Sequence, residues 1–277
     1  MTFPIERLAI NEITTYRWTF EEDVHYYTAA GIPAIGVWRQ KLSDFGEEKG
    51  VELIYEQGLC VSSLLWAGGF TGSEGRTYRE SIEDAQDAIH LAAQLGAESL
   101  VIYTGPRGGH TANHARRLTV SALQELADQA ADADIVLAIE PMHAGCAAEW
   151  TYLTSLEETL EMLDAVGSPA AKLVFDTYHL GHSEKTLDMI SEVAPRTALV
   201  HLGDAKTPPR VEQDRCQLGA GVLPLRQILT DLAAEGYTGW LEVELMGEEV
   251  ESQDYMELLR HSQAAVAELM GAATTSN

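Results

Sequence analysis

Short apolar runs alternate with amphipathic stretches along the whole chain. Runs of four to eight apolar residues suit strands buried on both faces, and apolar positions spaced by three and four suit helices with one buried stripe. On that basis strands are expected at residues 8–14, 34–38, 59–66, 99–103, 135–139, 173–175, 198–202 and 241–245. Between them helices are expected at 19–31, 43–58, from 77 to Gly96, 113–133, 155–167, about 184–193, 224–236 and 254–270. Thr19 with Glu22 and Thr77 with Glu80 have capping-box spacing, and Ser155 with Glu158 repeats it. Gly31, Gly58, Gly96, Gly167 and Gly236 each stand before a strand as a helix stop. The stretch from Thr77 carries Tyr78, Ile82, Ala85, Ile89 and Ala92 on one face. The last seven residues, GAATTSN, are expected to fray.

Eight strand–helix units in 277 residues, with no linker or break in composition, predict an α/β fold: a (β/α)8 TIM barrel, one domain spanning 1–277. An open doubly wound sheet would alternate in the same way, but no G-x-G-x-x-G follows the first strand. The 45% hydrophobic and 22% charged content is that of an ordinary globular protein. Forty-three acidic against 18 basic residues, a formal charge of −25, would repel a phosphate backbone, so no nucleic-acid partner is expected. Three cysteines without a C-x-x-C pattern argue for a reducing compartment and against a disulfide framework. The N-terminus lacks the pattern of a signal peptide, and no run approaches 18 apolar residues. The expectation is a cytoplasmic protein with no membrane contact.

In a barrel, chemistry collects at the C-terminal ends of the strands. Strand five ends in Glu140, strand six in Asp176, strand seven offers His201 and strand eight Glu244. Four such residues on consecutive strands would ring one mouth. Three carboxylates and an imidazole form a hard, oxygen-rich set suited to a divalent metal, with Mn2+ preferred and Mg2+, Co2+, Fe2+ or Zn2+ as alternatives. Taken singly, a strand-end acid only caps backbone amides; the joint placement carries the argument. Glu242 competes with Glu244 on the same face, and the more C-terminal residue lies nearer the mouth.

The segments AIEPMH, VFDTYHLGH, VHLGDAK with the later DRCQLGAG, and GYTGWLEVEL resemble the sugar phosphate isomerase/epimerase superfamily, whose fold is a xylose-isomerase-like TIM barrel. Ketose 3-epimerases, inosose dehydratases and, more distantly, endonuclease-IV-type repair enzymes belong to it. The resemblance implies that Glu140, Asp176, His201 and Glu244 are the metal ligands, with His179 near metal and substrate. It also implies that Arg215 contacts substrate oxygen, and relatives that assemble as dimers or tetramers imply a homo-oligomer by analogy.

The expected chemistry is isomerisation or epimerisation of a sugar or polyol through a metal-stabilised enediolate. Glu140 and Glu244 would act as base and acid on opposite faces of the carbon. The alternative on the same site is a lyase: a keto-inositol dehydratase or a β-eliminase of 3-keto glycosides, with His143 as a candidate base. Asp204 would orient a histidine or bind substrate. Trp66, with Trp18 and Trp38 at the other early strand ends, would wall the sugar or plug the barrel top. The GPRGGH loop lacks P-loop spacing and reads as a rim loop. A repair endonuclease is disfavoured by the acidity and by too few ligands for a trinuclear zinc site.

Overall fold

Eight parallel strands, each too apolar to face water on either side, close on one another into a barrel. The architecture is that of a computed structural model, which describes residues 5–72 and 75–271. The strands are β1 (Leu8–Asn11), β2 (Ala34–Trp38), β3 (Cys60–Gly68), β4 (Ala97–Tyr103), β5 (Val136–Ile139), β6 (Ala171–Asp176), β7 (Thr197–Leu202) and a closing strand, Leu241–Val243. The closing strand pairs with both β7 and β1, with His201 opposite Glu242 and Leu8 opposite Leu241. The chain is therefore a single TIM barrel domain, as the alternation predicts. The tail expected to fray, GAATTSN at 271–277, lies outside the described residues except for Gly271.

Helix starts lie where side chains can take up orphan amides. Thr19 and Thr77 form complete capping boxes with Glu22 and Glu80 at the heads of α1 (Phe20–Ala30) and the helix Tyr78–Leu95. Gly31, Gly58, Gly96 and Gly167 close their helices in the left-handed region. Two expected helices are broken. Residues 43–58 fall into α2 (Arg39–Phe45) and α3 (Glu47–Gln57), because Gly46, at φ 109°, cannot continue a helix. The 184–193 stretch divides at Met189 into Glu184–Asp188 and Ile190–Val193.

Two apolar layers result. The larger packs strand exteriors against helices, around side chains such as Tyr27, Phe70, Ile82, Leu100, Phe175 and Leu232. The smaller fills the barrel with Ala9, Ala34, Leu65, Val101, Ala138, Val174 and Leu199, and ends at Trp240, over which Arg7 stacks at 4.8 Å. Small residues dominate that interior, and a polar side chain occupies the remaining space. Glu242 is fully buried and accepts from Asn11 Nδ2 at 2.9 Å, Ser62 Oγ at 2.6 Å and Ser63 Oγ at 2.9 Å. Gly36 makes this possible, since a Cβ there would sit 2.3 Å from Glu242 Oε1.

Candidate metal centre

Backbone pairing alone brings the four strand-end residues together. Glu140 follows β5 and continues its ladder through its amide to Ile102 O, while Glu244 follows the closing strand and donates to Leu202 O. Asp176 ends β6 opposite His201 in β7. One ligand atom from each of Glu140, Asp176, His201 and Glu244 lies within 4.8 Å of the others, and all four residues are buried. His201 Nδ1 is 3.2 Å from Glu140 Oε1 and 2.8 Å from Glu244 Oε2. Its Nε2 points the other way, 3.4 Å from Glu242 Oε1. Glu242 thus lies one layer deeper than Glu244, where its carboxylate holds the orientation of the His201 ring.

The electrostatics are those of a site short of positive charge. Burial raises the Glu140 carboxyl against the pull of His201. Burial would also raise Glu244, but Arg215 and His201 outweigh it and hold that carboxyl down at about 2. Burial disfavours a charged His201, yet Glu140 and Glu244 overcome it and push the imidazole well above its ordinary value. Three close carboxylates in a low-dielectric pocket are costly, and His201 and Arg215 offset that cost from one side. Glu140 Oε2 and Glu244 Oε2 are buried without hydrogen bonds, so the cluster keeps donor atoms that the chain leaves unsatisfied. The residues present fit a divalent metal. Its identity is open: oxygen-rich donors with one imidazole suit several ions.

Above the cluster lies a cavity of about 810 Å³. Trp38, Trp66, Tyr103 and Trp150 form one wall, Cys146 and Met142 another, and Arg210–Gln213 the roof, with Glu244 reaching in from below. Trp66 stacks on Trp38 at 6.5 Å and meets Trp150 edge-on at 5.3 Å. Burial, followed by the charges of Glu140 and Glu244, pushes the Tyr103 phenol well up, so it stays a proton donor.

The other expected site residues are distributed unequally. Arg215 is buried under the cavity, where its Nη2 is 3.1 Å from Asp176 Oδ2 and 3.0 Å from Glu212 Oε2, and it stacks on Tyr178 at 4.3 Å. It gets there because the long connection after β7 folds back as a two-residue ribbon, Asp204–Ala205 against Arg215–Cys216. His179 sits on the short helix Thr177–Leu180, whose first amides Asp176 Oδ1 caps. Asp204 is committed to backbone: its carboxylate accepts from the amides of Ala205, Gly219, Gly221 and Leu223. It shapes a loop away from the cavity. His143 is half-buried on the loop after β5, its Nδ1 accepting from Gly145 N, and burial followed by the charge of His179 lowers its pKa. It is not among the residues lining the cavity. Trp18 packs instead on Tyr26 and Tyr255, outside the mouth.

Tyr103, Cys146, Trp150 and Glu212 were not singled out from sequence. Tyr103 ends a predicted strand just as Trp38 and Trp66 do, and that position was the available signal. Glu212 and Trp150 lie in irregular connections, where periodicity is silent.

Residues 25–266 match the model of the xylose isomerase-like TIM barrel family. The chain is 30% identical over 261 residues to a putative hydroxypyruvate isomerase of Streptomyces coelicolor, covering 86% of this chain and 89% of that one. It is 31% identical over 125 residues to the D-psicose 3-epimerase of Enterocloster bolteae, a match that spans 45% of this chain and only 38% of that protein. A crystal structure of a Sinorhizobium meliloti protein superposes with a TM-score of 0.88 at 26% identity, over 96% of this chain and 99% of that chain.

Proposed function

Because the chain belongs to the xylose isomerase-like TIM barrel family, we propose that it is a divalent-metal-dependent isomerase or epimerase of a small sugar or polyol. The observation that carries this reading is the convergence of Glu140, Asp176, His201 and Glu244 below an aromatic cavity, with unsatisfied donor atoms. Those four residues would hold the metal, with Mn2+ the first ion to test. Bound there, a divalent ion supplies a Lewis acid for a carbonyl and its neighbouring hydroxyl.

The rest of the reading concerns the chain's own side chains. Glu244 Oε2, on a carboxyl held down at about 2, has no hydrogen bond and is the atom assigned to take the proton from the carbon beside the carbonyl. Glu140 Oε2, on a carboxyl that burial raises, is likewise without a hydrogen bond and would return a proton from the other side, giving the epimer. Tyr103 offers a neutral hydroxyl above Glu140. Trp66 and Trp38 present flat faces on which the C–H side of a sugar ring stacks. Arg215 keeps Asp176 and Glu244 oriented from beneath, through 3.1 Å and 3.9 Å contacts.

A second reading, a lyase acting on a keto glycoside, is favoured by one observation. A cavity of about 810 Å³ lies toward the upper end of the range for ligand pockets, with an aromatic wall suited to an aglycone. His143, on the rim, is the base to test in that reading. One experiment separates the two: metal-loaded protein is incubated in D2O with ketoses, keto-inositols and 3-keto glucosides, and products are read by mass spectrometry. Deuterium uptake with an unchanged formula supports the isomerase; loss of water or aglycone supports the lyase. No exchange with any of the three classes would sink both.

A further inference from the structure

A second group of metal-type donors lies beside the first and has no role in the chemistry above. Cys146 precedes the turn Ala147–Glu149, His179 lies on the helix after β6, and Glu212 opens the turn Glu212–Asp214 in the long connection after β7. Three separate connections place one donor atom of each within 4.8 Å of the others. We propose that Cys146, His179 and Glu212 form a second cation site, softer than the four-residue centre and selective for Zn2+ or another thiophilic divalent ion.

His179 supplies the independent observation. It is 4% exposed, and neither ring nitrogen makes a hydrogen bond. Its Nε2 is aimed at Glu212 Oε1, 3.5 Å away, and that oxygen is also buried without a hydrogen bond. Two buried polar atoms facing each other without a hydrogen bond are costly unless something joins them. A shared cation does so, and the thiol completes the set. A tetrahedral zinc site with bonds of about 2.0–2.3 Å needs its donor atoms within roughly 3.3–3.8 Å of each other, so side-chain rotations of about an ångström close the group.

Charge points the same way. Around the two groups, the carboxylates of Glu140, Asp176, Glu244 and the partly buried Glu212 face a single guanidinium, Arg215, which bridges Asp176 and Glu212. One divalent ion leaves the set net negative. A second, bound with a Cys146 thiolate, offsets one further unit of that negative charge. In the protein alone burial, then the Glu212 charge, hold the Cys146 thiol up at about 12, so binding must release that proton. Cys146 and Glu212 both line the cavity, whereas His179 does not. Such a site keeps an open position on the substrate side, the arrangement of a catalytic zinc with three protein ligands.

The test strips the full-length protein of metal and titrates it with Co2+, reading thiolate-to-cobalt charge-transfer absorption and bound metal by elemental analysis. Two equivalents are expected, with the absorption following the second. Cys146→Ser should bind one equivalent fewer and show no absorption, and Glu212→Gln should weaken the second equivalent about 10–100-fold. Cys60→Ser, an exposed thiol at the start of β3, should behave as the unaltered protein. If Cys146→Ser does not fold, the same question is put to the unaltered chain: Zn2+ should slow alkylation of Cys146 by iodoacetamide at least tenfold, read by peptide mass spectrometry. A single equivalent without thiolate absorption, absorption that survives in Cys146→Ser, or alkylation indifferent to Zn2+ would overturn the proposal. These readouts need no turnover, so they stand or fall separately from the sugar isomerase reading.

Discussion

Two buried clusters of acids lie in this barrel, and they are treated in opposite ways. Near β1 and α1, Glu12 and Asp23 share a pocket with Lys41, whose Nζ reaches Asp23 Oδ2 at 2.5 Å and the carbonyls of Glu12 and Thr15 at 3.0 Å. Thr15 Oγ1 lies 2.5 Å from Asp23 Oδ1 and 2.6 Å from Tyr27 Oη, and Glu12 Oε2 accepts from Trp38 N. That cluster carries its own ammonium. At β5 to the closing strand, three carboxylates gather round one imidazole and several donor atoms are left over. Both consist of buried acids: Glu12 just past β1 with Asp23 on α1 in the first, and strand-end residues in the second. The difference is one of convergence: Lys41 fills the first cluster, whereas in the second Arg215 and His201 offset the carboxylates from below and one ligand atom of each of four residues still meets within 4.8 Å, a geometry that fits a metal.

The largest effects should come from removing charge in the open cluster. Asp176→Asn or Glu140→Gln is expected to lower kcat/KM by about 1000-fold, within the range for lost proton-transfer groups. Thermal melts of Glu140→Gln in chelator should show no loss of stability, because a like charge has been removed, whereas Asp176→Asn should also lower the melting temperature by weakening the buried pair with Arg215. Next, Lys41→Met should cost about 3–5 kcal/mol in urea denaturation, since it leaves Asp23 buried and unpaired. Its kcat/KM, measured cold on folded protein, should stay within about threefold; equal damage to both properties would erase the distinction between the clusters. Third, divalent metal at 100 times its Kd should stabilise the protein by about 2.7 kcal/mol, and Asp176→Asn should abolish that gain while Lys41→Met keeps it.

Acid should separate the clusters by sign. Glu244 is held down at about 2 from an ordinary 4.5, so its contribution is complete above 4.5 and is lost as pH falls toward 2. Glu12 is pushed well up, by burial first and Asp23 next, so its contribution is complete below 4.5 and lost as pH rises through its folded value. In chelator, Glu244→Gln should flatten the acid limb of the melting-temperature profile and Glu12→Gln the limb above it. The smallest effect is Trp66→Ala, expected to raise KM about 3–10-fold with little change in melting temperature, consistent with a lost stacking face.

Much of this was legible in the sequence because it is local or strictly periodic. The capping boxes at Thr19 and Thr77 appear where their spacing predicts. Strand ends project forward, so Glu140, Asp176, His201 and Glu244 could be placed on one rim before any contact was known. What stayed hidden depends on chain segments distant in sequence. Glu242 differs from Glu244 through partners at Asn11, Ser62 and Ser63, about 180 or more positions away. Asp204 looked like a site acid because its backbone partners lie 15 to 19 residues on in an irregular loop. Gly46 broke a helix that hydrophobic spacing alone would have continued.

The ribbon after β7 has one more consequence, for how such a molecule can change. Its two strands fix Arg215 opposite Ala205, and Asp204 staples the returning chain at Gly219, Gly221 and Leu223. The intervening tip, which includes the cavity roof at Arg210–Gln213, hangs from that seam. Doubling a flexible loop costs only about 0.6 kcal/mol in closure entropy. Apart from Glu212, which pairs with Arg215, the roof is therefore an interchangeable canopy: insertions or replacements between the ribbon strands can reshape the cavity while the guanidinium beneath keeps its station.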